Sequence, residues 1–212
     1  AVQNLDRTGA DMRRFLVAAA FTIVLQAFVT PAEGLAQGRF DPRRQARFMI
    51  DANLAYTLIT GDIGDSIGGG PGIEVAGLYQ LAGVPVRLGG GAGYSRHGIQ
   101  DADGSANRYE VFAAVDLLLF SEETEMIPYL QGRVGWMQVA SSVDDVSTTI
   151  SGIEFAALVG VDIPVAESIS IDVSGQFGWF SGGDLVIDGT SVAGTSRLGS
   201  LFSIRAGAFF FF

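Results

Sequence analysis

The chain contains no cysteine and no lysine, so all 13 of its basic residues are arginine. Without cysteine the protein has no disulfide framework, no thiolate nucleophile and no cysteine-based metal site. The formal net charge is −10, and the sequence offers no basic stripe to meet phosphates, which argues against a nucleic-acid-binding surface. We expect neither a cofactor nor a nucleic-acid partner.

Charged residues are also few, at 17% of the 212 residues, whereas 48% are hydrophobic and 29 are glycine. This hydrophobic fraction excludes a disordered acidic tail, and the length suits one domain or at most two small ones. The mean hydropathy is high for a soluble domain, yet no apolar run reaches the ~20 residues that a transmembrane helix needs. The apolar residues must therefore be arranged in another way.

The first part of the chain predicts a secretory signal peptide over residues 12–36. Arg13 and Arg14 form a short positive region, and the mostly apolar run 15–29 follows them. Small residues stand at the −3 and −1 positions of a cleavage site after Ala36. The alternative is a membrane anchor, but about fifteen apolar residues are too few to span a bilayer as a helix. No cysteine follows the site, so we expect no lipoprotein anchor.

This interpretation divides the chain into four regions and predicts that the mature protein is exported. Residues 1–11 are upstream sequence, 12–36 the signal peptide, 37–45 a polar periplasmic leader and 46–212 the folded domain. In the folded domain the pattern of apolar residues changes to a period of two.

Apolar and polar residues alternate along the folded domain, as expected for strands with two different faces. In 169–179 the odd positions are Ile, Ile, Val, Gly, Phe and Trp, whereas the even positions are Ser, Asp, Ser, Gln and Gly. We predict eight such strands, each long enough to cross a bilayer at a tilt. They span residues 48–58, 72–82, 85–95, 108–120, 128–140, 150–162, 169–179 and 198–212.

The connections between these strands alternate in length. Long polar connections follow the first, third, fifth and seventh strands, at 59–71, 96–107, 141–149 and 181–196. The others are shorter, at 83–84, 121–127 and 163–168. Long loops at one end and tight turns at the other are typical of outer-membrane barrels. The sequence therefore predicts an all-β fold, an eight-stranded antiparallel up-and-down transmembrane β-barrel with both ends of the chain in the periplasm.

A soluble lipocalin-like barrel, with its apolar face inside, is the alternative. Aromatic residues near the long-loop ends favour the membrane barrel, because amphipathic rings at one level suit a membrane interface. This predicted girdle comprises Tyr56, Tyr94, Tyr109, Trp136 and Trp179. Charged residues at mid-strand depth on the opposite face also support it. A midplane arginine facing lipid costs ~2–4 kcal/mol, so in a membrane barrel this face must point inward. We therefore place in the barrel interior Asp51, Arg87, Asp116, Arg133, Glu154, Asp172 and Arg205.

The chain stops on a run of aromatic residues. Arg205, Gly207, Phe210 and Phe212 resemble the C-terminal targeting signal of bacterial outer-membrane proteins, with a polar residue, a glycine and alternate aromatics. Over 46–212 the chain resembles the small eight-stranded outer-membrane family that includes OmpA, OmpX and opacity-type adhesins. The resemblance implies that the barrel assembly machinery recognises the last strand. It also implies an outer-membrane location, in contact with membrane lipids and lipopolysaccharide.

The single histidine is the first place to look for chemistry. Ser95 and His97 would share one face of the third strand, and with a loop carboxylate they would resemble the serine, histidine and acid of outer-membrane lipid A deacylases. We favour a solvated histidine at the rim and predict no catalytic residue. Asp101 and Asp103 faintly resemble the start of a calcium loop, but the later ligands are not at the required spacing, so we predict no metal site.

Three functions follow from this interpretation. The first is a non-enzymatic envelope component or scaffold that presents four polar extracellular loops for adhesion or partner binding. The second is passage of small solutes or of a hydrophobic ligand, and the third is a lipid A-modifying hydrolase that uses His97.

Eight strands leave an interior that side chains just fill, so we expect ion pairs to plug the barrel. Strand adjacency suggests Arg133 with Asp116 or Glu154, and Arg205 with Asp172 or Asp51.

Overall fold

The computed structural model describes residues 47–61, 67–99, 104–119, 126–143, 146–166, 168–183, 185–192 and 197–212. Of these residues, none belongs to a helix with the length and apolar character that crossing a membrane would require. The predicted upstream sequence, signal peptide and leader lie outside the described residues and stay predictions.

Antiparallel β-strands make up most of the described chain. They are β1 (Arg47–Gly61), β2 (Gly70–Gln80), β3 (Val86–Gly98), β4 (Ser105–Leu118), β5 (Ile127–Val143), β6 (Val146–Ala166), β7 (Ile169–Gly182), β8 (Leu185–Ile187), β9 (Thr190–Val192) and β10 (Arg197–Phe211). Strands β1 to β7 pair in sequence order, and β10 lies between β7 and β1, so the sheet closes on itself. The predicted eight-stranded antiparallel barrel is confirmed, with β8 and β9 as an additional hairpin.

Alternate side chains of each barrel strand point into the barrel and out of it. Along β7, Asp172 and Ser174 are buried, whereas Val173 between them and Ile171 before them are exposed. Large apolar side chains are exposed all around the barrel, and Leu54 in the middle of β1 keeps 70% of its surface accessible. The apolar face is therefore outside and the polar face inside, which rules out the lipocalin-like alternative.

The two ends of the barrel differ. We call the end where β1 joins β2 the loop end, and the end where β1 begins and β10 stops the terminal end. The predicted long loop 141–149 at the loop end is wrong, because β5 and β6 continue until Val143 pairs with Val146. Residues 140–143 and 146–149 are polar or small on both faces at most positions, so the alternation that reveals a half-buried strand is lost there.

The predicted loop 181–196 also contains regular structure, the hairpin β8–β9. Its turn residues Asp188 and Gly189 both have positive φ, 46° and 80°, as a two-residue type I′ turn requires. Strand β8 pairs with β6 through Thr148 opposite Ile187 and Thr149 opposite Val186. We call 140–143, 146–149, β8 and β9 together the loop-end extension.

The barrel interior has three layers. At the loop end an apolar cluster fills the barrel, comprising Ile59, Ile67, Ala106, Met137, Val139, Ile150, Phe180 and Leu201. At the terminal end a second apolar cluster comprises Met49, Leu78, Ala114 and Phe209. Polar and charged side chains occupy the space between the two clusters.

The glycine-rich strand β3 keeps an unbroken register with both of its neighbours. On its inner face, a Cβ atom added to Gly93 would overlap Oε1 of Glu110. The missing side chain therefore makes room for a buried carboxylate.

The apolar exterior predicts how a charge on it affects stability. Leu54→Arg places a guanidinium in mid-barrel and should lower the free energy of unfolding in lipid vesicles by about 2–4 kcal/mol. Thr60→Arg, on the same face but near the loop end, should cost at most about 1 kcal/mol. Urea titration of the two variants measures the difference, and equal costs would contradict a lipid-facing exterior.

Candidate functional site

The polar interior is the candidate site, because it contains the densest set of charged side chains that the structure describes. All seven charged residues predicted for the interior are buried there: Asp51, Arg87, Asp116, Arg133, Glu154, Asp172 and Arg205. Four more share the same space: Glu74, Arg108, Glu110 and Asp162. The sequence pattern already contained the signal for these four, since each follows or precedes an outward apolar residue by one position.

Arg133 does not pair as expected. Its Nη1 and Nη2 atoms lie 2.7 and 2.6 Å from the two carboxylate oxygens of Glu74 on β2, across the barrel. The predicted partners Asp116 and Glu154 bind other groups, and Arg133 Nε instead donates to Gln131. The guanidinium also stands 4.0 Å from the ring centroid of Phe112, a cation–π distance. Its long side chain reaches a strand that is not its neighbour, so adjacency predicted the wrong carboxylate.

Glu74 joins a second arginine to the same group. Arg205 Nη2 lies 2.9 Å from Glu74 Oε1 and 3.3 Å from Asp51 Oδ2. Asp51 was one of its two expected partners, whereas Asp172 is bound by other donors. Glu74 thereby holds two guanidinium groups, from β5 and β10, at the centre of the barrel.

Arg87 forms a separate group near the terminal end. Its Nε lies 3.1 Å from Asp116 Oδ2 and its Nη1 lies 2.9 Å from Asp162 Oδ2. The guanidinium carbon is also 5.2 Å from the ring centroid of Tyr129 and 4.8 Å from that of Phe209. Two carboxylates and two aromatic faces therefore surround one fully buried cation.

Arg108 forms the third group, towards the loop end. Its Nη2 binds Glu110 on its own strand and lies 2.9 Å from Glu154 Oε2 on β6. Its Nε lies 2.8 Å from the Met137 sulfur, which belongs to the apolar cluster above. The charged layer thus continues directly into the apolar layer of the loop end.

Neutral donors complete the interior network. Tyr129 donates to Asp172 Oδ1 at 2.7 Å and Gln131 donates to Asp116 Oδ1 at 2.6 Å. Gln176 donates to Glu154 Oε1 at 3.1 Å. Two cavities beside these groups leave the centre of a water molecule only about 10 Å³ each, which is room for about one water. Of the described residues, no set of carboxylates and histidine has the arrangement of a metal site.

The predicted aromatic girdle lies on the outside of the barrel. All five side chains are exposed: Tyr56, Tyr94, Tyr109, Trp136 and Trp179. The rings of Tyr94 and Tyr109 stand 5.3 Å apart on paired positions of β3 and β4. Trp179 packs edge-on against Phe177 at 4.6 Å.

The residues of the predicted C-terminal signal divide between the two faces of β10. Arg205 and Gly207 face inward, whereas Phe210 and Phe212 are exposed outside. A Cβ atom on Gly207 would overlap the carbonyl oxygen of Ala52 on β1, so the barrel closes tightly at this position. The motif therefore combines an interior ion pair, a close strand contact and outward aromatic rings.

Ser95 and His97 are not at a solvated rim, so that expectation is wrong. Both side chains are at most 2% exposed and point into the barrel. Ser95 Oγ lies 2.8 Å from His97 Nε2, and His97 Nδ1 lies 3.0 Å from the carbonyl oxygen of Gly68. Because a carbonyl only accepts, Nδ1 carries the proton and Nε2 accepts the serine hydroxyl. Ile67, which precedes Gly68, is buried in the apolar cluster of the loop end.

The acidic residues Asp101 and Asp103 of the faint calcium motif lie outside the described residues. The absence of a metal site in this loop stays a prediction.

An apolar exterior, a charged interior and a closed antiparallel sheet together define a transmembrane β-barrel. No protein-family model and no curated protein matches the chain. Solved structures do resemble it. Neisserial surface protein A shares 16% identity over 78% of this chain and 97% of its own, with a TM-score of 0.59.

Two further structures are similar in the same way. The outer-membrane protein OprG from Pseudomonas aeruginosa shares 10% identity over 81% of this chain and 99% of its own, with a TM-score of 0.58. The outer-membrane protein AlkL shares 12% identity over 83% of this chain and 94% of its own, with a TM-score of 0.51. At such identities the similarity concerns the fold alone. The chain has the fold and the apolar outer surface of the small bacterial outer-membrane β-barrels.

The central position of Glu74 predicts a large effect of its removal. Glu74→Gln leaves Arg133 and Arg205 without their shared carboxylate and should lower the free energy of unfolding by about 3–5 kcal/mol. Ser203→Ala, which removes a hydroxyl bonded to Thr57 in the same interior, should cost about 1 kcal/mol. Urea titration in vesicles compares them, and similar costs would show that the ion pairs are not central.

Proposed function

We propose that the protein is a non-enzymatic component of the bacterial outer membrane that displays its loop end outside the cell. The exported chain would carry its signal peptide at 12–36, and the assembly machinery would recognise β10 through Arg205, Gly207, Phe210 and Phe212. Lipids and lipopolysaccharide would surround the exposed apolar face. The display role is adhesion or the binding of an extracellular partner.

The filled interior is the observation that carries this proposal. A passage needs a continuous path, but apolar clusters lie at both ends of the barrel and ion pairs lie between them. Two cavities beside the ion pairs leave the centre of a water molecule only about 10 Å³ each, which is room for about one water. A filled interior of this kind supports a scaffold rather than passage of solutes or of a hydrophobic ligand.

The loop-end extension gives the scaffold something to display. Strand β6 continues past the end of β7, and β8 and β9 add to the edge that β7 leaves open, whereas β4 accompanies β5 as far as Ser142. Hydrogen bonds join Asp188 N to Ser147 O and Ser147 N to Asp188 Oδ1, each at 2.9 Å. A sheet edge whose backbone is fixed by hydrogen bonds is a suitable surface for recognition, because little entropy is lost when a partner binds it.

The lipid A hydrolase alternative has less support. The Ser95–His97 hydrogen bond has the geometry of a nucleophile and its base, but both groups face the barrel interior. The acyl chains of lipid A would contact the opposite face of β3. Gly68 supplies a carbonyl where a hydrolytic triad has a carboxylate. We interpret the pair as a support for the segment that begins at Ile67.

Topology is tested by epitopes inserted into two turns. An epitope between Asp188 and Gly189 should be labelled by antibody on intact cells, because this turn lies at the loop end. An epitope between Ala82 and Gly83, at the terminal end, should be labelled only after the outer membrane is permeabilised. The opposite pattern, or absence of the protein from the outer-membrane fraction, would contradict the proposal.

Passage is tested by current through a planar lipid bilayer. The intact protein should give no conductance above background, because apolar clusters and ion pairs occupy the described interior. A general porin added to the same bilayer is the positive control. Reproducible current steps from the purified barrel would favour solute passage over the scaffold.

A further inference from the structure

Arg96 is placed differently from the buried arginines of the barrel. It lies near the loop end of β3, two residues beyond Tyr94, and shares the outward face of the strand with that ring. Its side chain is exposed. Guanidinium groups facing lipid are costly at mid-membrane but cost only ~0–1 kcal/mol near the interface. Arg96 therefore offers a positive charge at the level where the membrane changes from acyl chains to headgroups.

Arg96 differs from the four buried arginines in its ion pairing. Arg87, Arg108, Arg133 and Arg205 each have a carboxylate within 3.3 Å inside the barrel. Among the described residues, no carboxylate forms an ion pair with Arg96, whose Nη2 lies 3.5 Å from the hydroxyl of Ser105. A chain that is acidic overall thus presents this arginine outward, towards the membrane interface.

The neighbours of Arg96 form a fixed polar and aromatic surface. Asn107 is its direct partner across β3 and β4, and Tyr94 pairs with Tyr109 one step deeper. The Tyr94 hydroxyl donates to Asn107 Oδ1 at 2.8 Å, which orients both side chains and leaves the amide Nδ2 as a hydrogen-bond donor. The two tyrosine rings, 5.3 Å apart, continue this surface towards the membrane interior.

These groups match one kind of ligand. A phosphate bound to a lipid carries the negative charge and the acceptor oxygens that a guanidinium and an amide N–H bind well. Tyrosine rings at the interface contact the apolar part of such a lipid just below its headgroup. A neutral headgroup would leave the guanidinium without a counter-charge.

We propose that Arg96, Asn107, Tyr94 and Tyr109 form a binding site for the phosphorylated headgroup of an outer-leaflet glycolipid. The proposal rests on the outer-membrane location given above and adds a defined lipid contact on the outer face of β3 and β4. The site would hold one lipid against the barrel at the base of the β3–β4 connection.

Native mass spectrometry of the full barrel tests the site. The folded protein is mixed in detergent with bisphosphorylated lipid A or with the same lipid A after enzymatic dephosphorylation. Wild-type protein should retain the phosphorylated form about tenfold more strongly, which is the effect of ~1.4 kcal/mol, the size of one charge-assisted hydrogen bond. Inorganic phosphate alone should form no comparable adduct, because it lacks the apolar part that the tyrosine rings contact.

Two variants separate the site from a general charge effect. Arg96→Gln should remove the preference for phosphorylated lipid A, whereas Arg47→Gln, the same charge change at the terminal end, should keep it. Heat-modifiable gel mobility confirms that both variants are folded barrels. Equal retention of both lipids by wild type, or equal preference in wild type and Arg96→Gln, would overturn the site. Neither result would affect the outer-membrane location, which the epitope labelling tests separately.

Discussion

The hydrocarbon core of a lipid bilayer provides no hydrogen-bond partners, and this constraint determines how the polar groups of the described barrel strands are arranged. The backbone meets it by closing the sheet through β10 and β1, so that no strand edge faces lipid within the barrel. The side chains meet it by alternation, with apolar groups outside and charged groups inside. Both solutions depend on the same period of two along each strand.

The interior creates a second problem, which is the balance of charge. Seven buried carboxyl groups share the described interior with four buried guanidinium groups. Arginine is suited to this imbalance, because one guanidinium binds two carboxylates at once, as Arg87 and Arg205 do. Tyr129, Gln131 and Gln176 supply further donors without adding charge. The apolar clusters above and below then keep water away from the network.

The fold could be predicted from the sequence because strand period and face polarity are local properties. The partner of Arg133 could not, since its side chain crosses the barrel to Glu74 on a strand that is not adjacent. His97 was misplaced for a related reason: its inward position follows from alternation, but the burial depends on Gly68, from a separate part of the chain. The β8–β9 hairpin was missed although Asp188-Gly189 is a recognised turn pair, because its strands are only three residues long.

The long pairing of β5 with β6 also has a mechanical consequence. All 17 residues of β5 are paired with β6, and the same two strands are bonded to β4 and β7 within the barrel wall. A pull on the loop-end ends of β5 and β6, at Val143 and Val146, would load many of these hydrogen bonds in shear at once. These two strands therefore resist extraction. The β8–β9 hairpin is joined to β6 through two residue pairs and would peel away first. Under tension the protein would yield at its outermost sheet edge while the barrel stays intact.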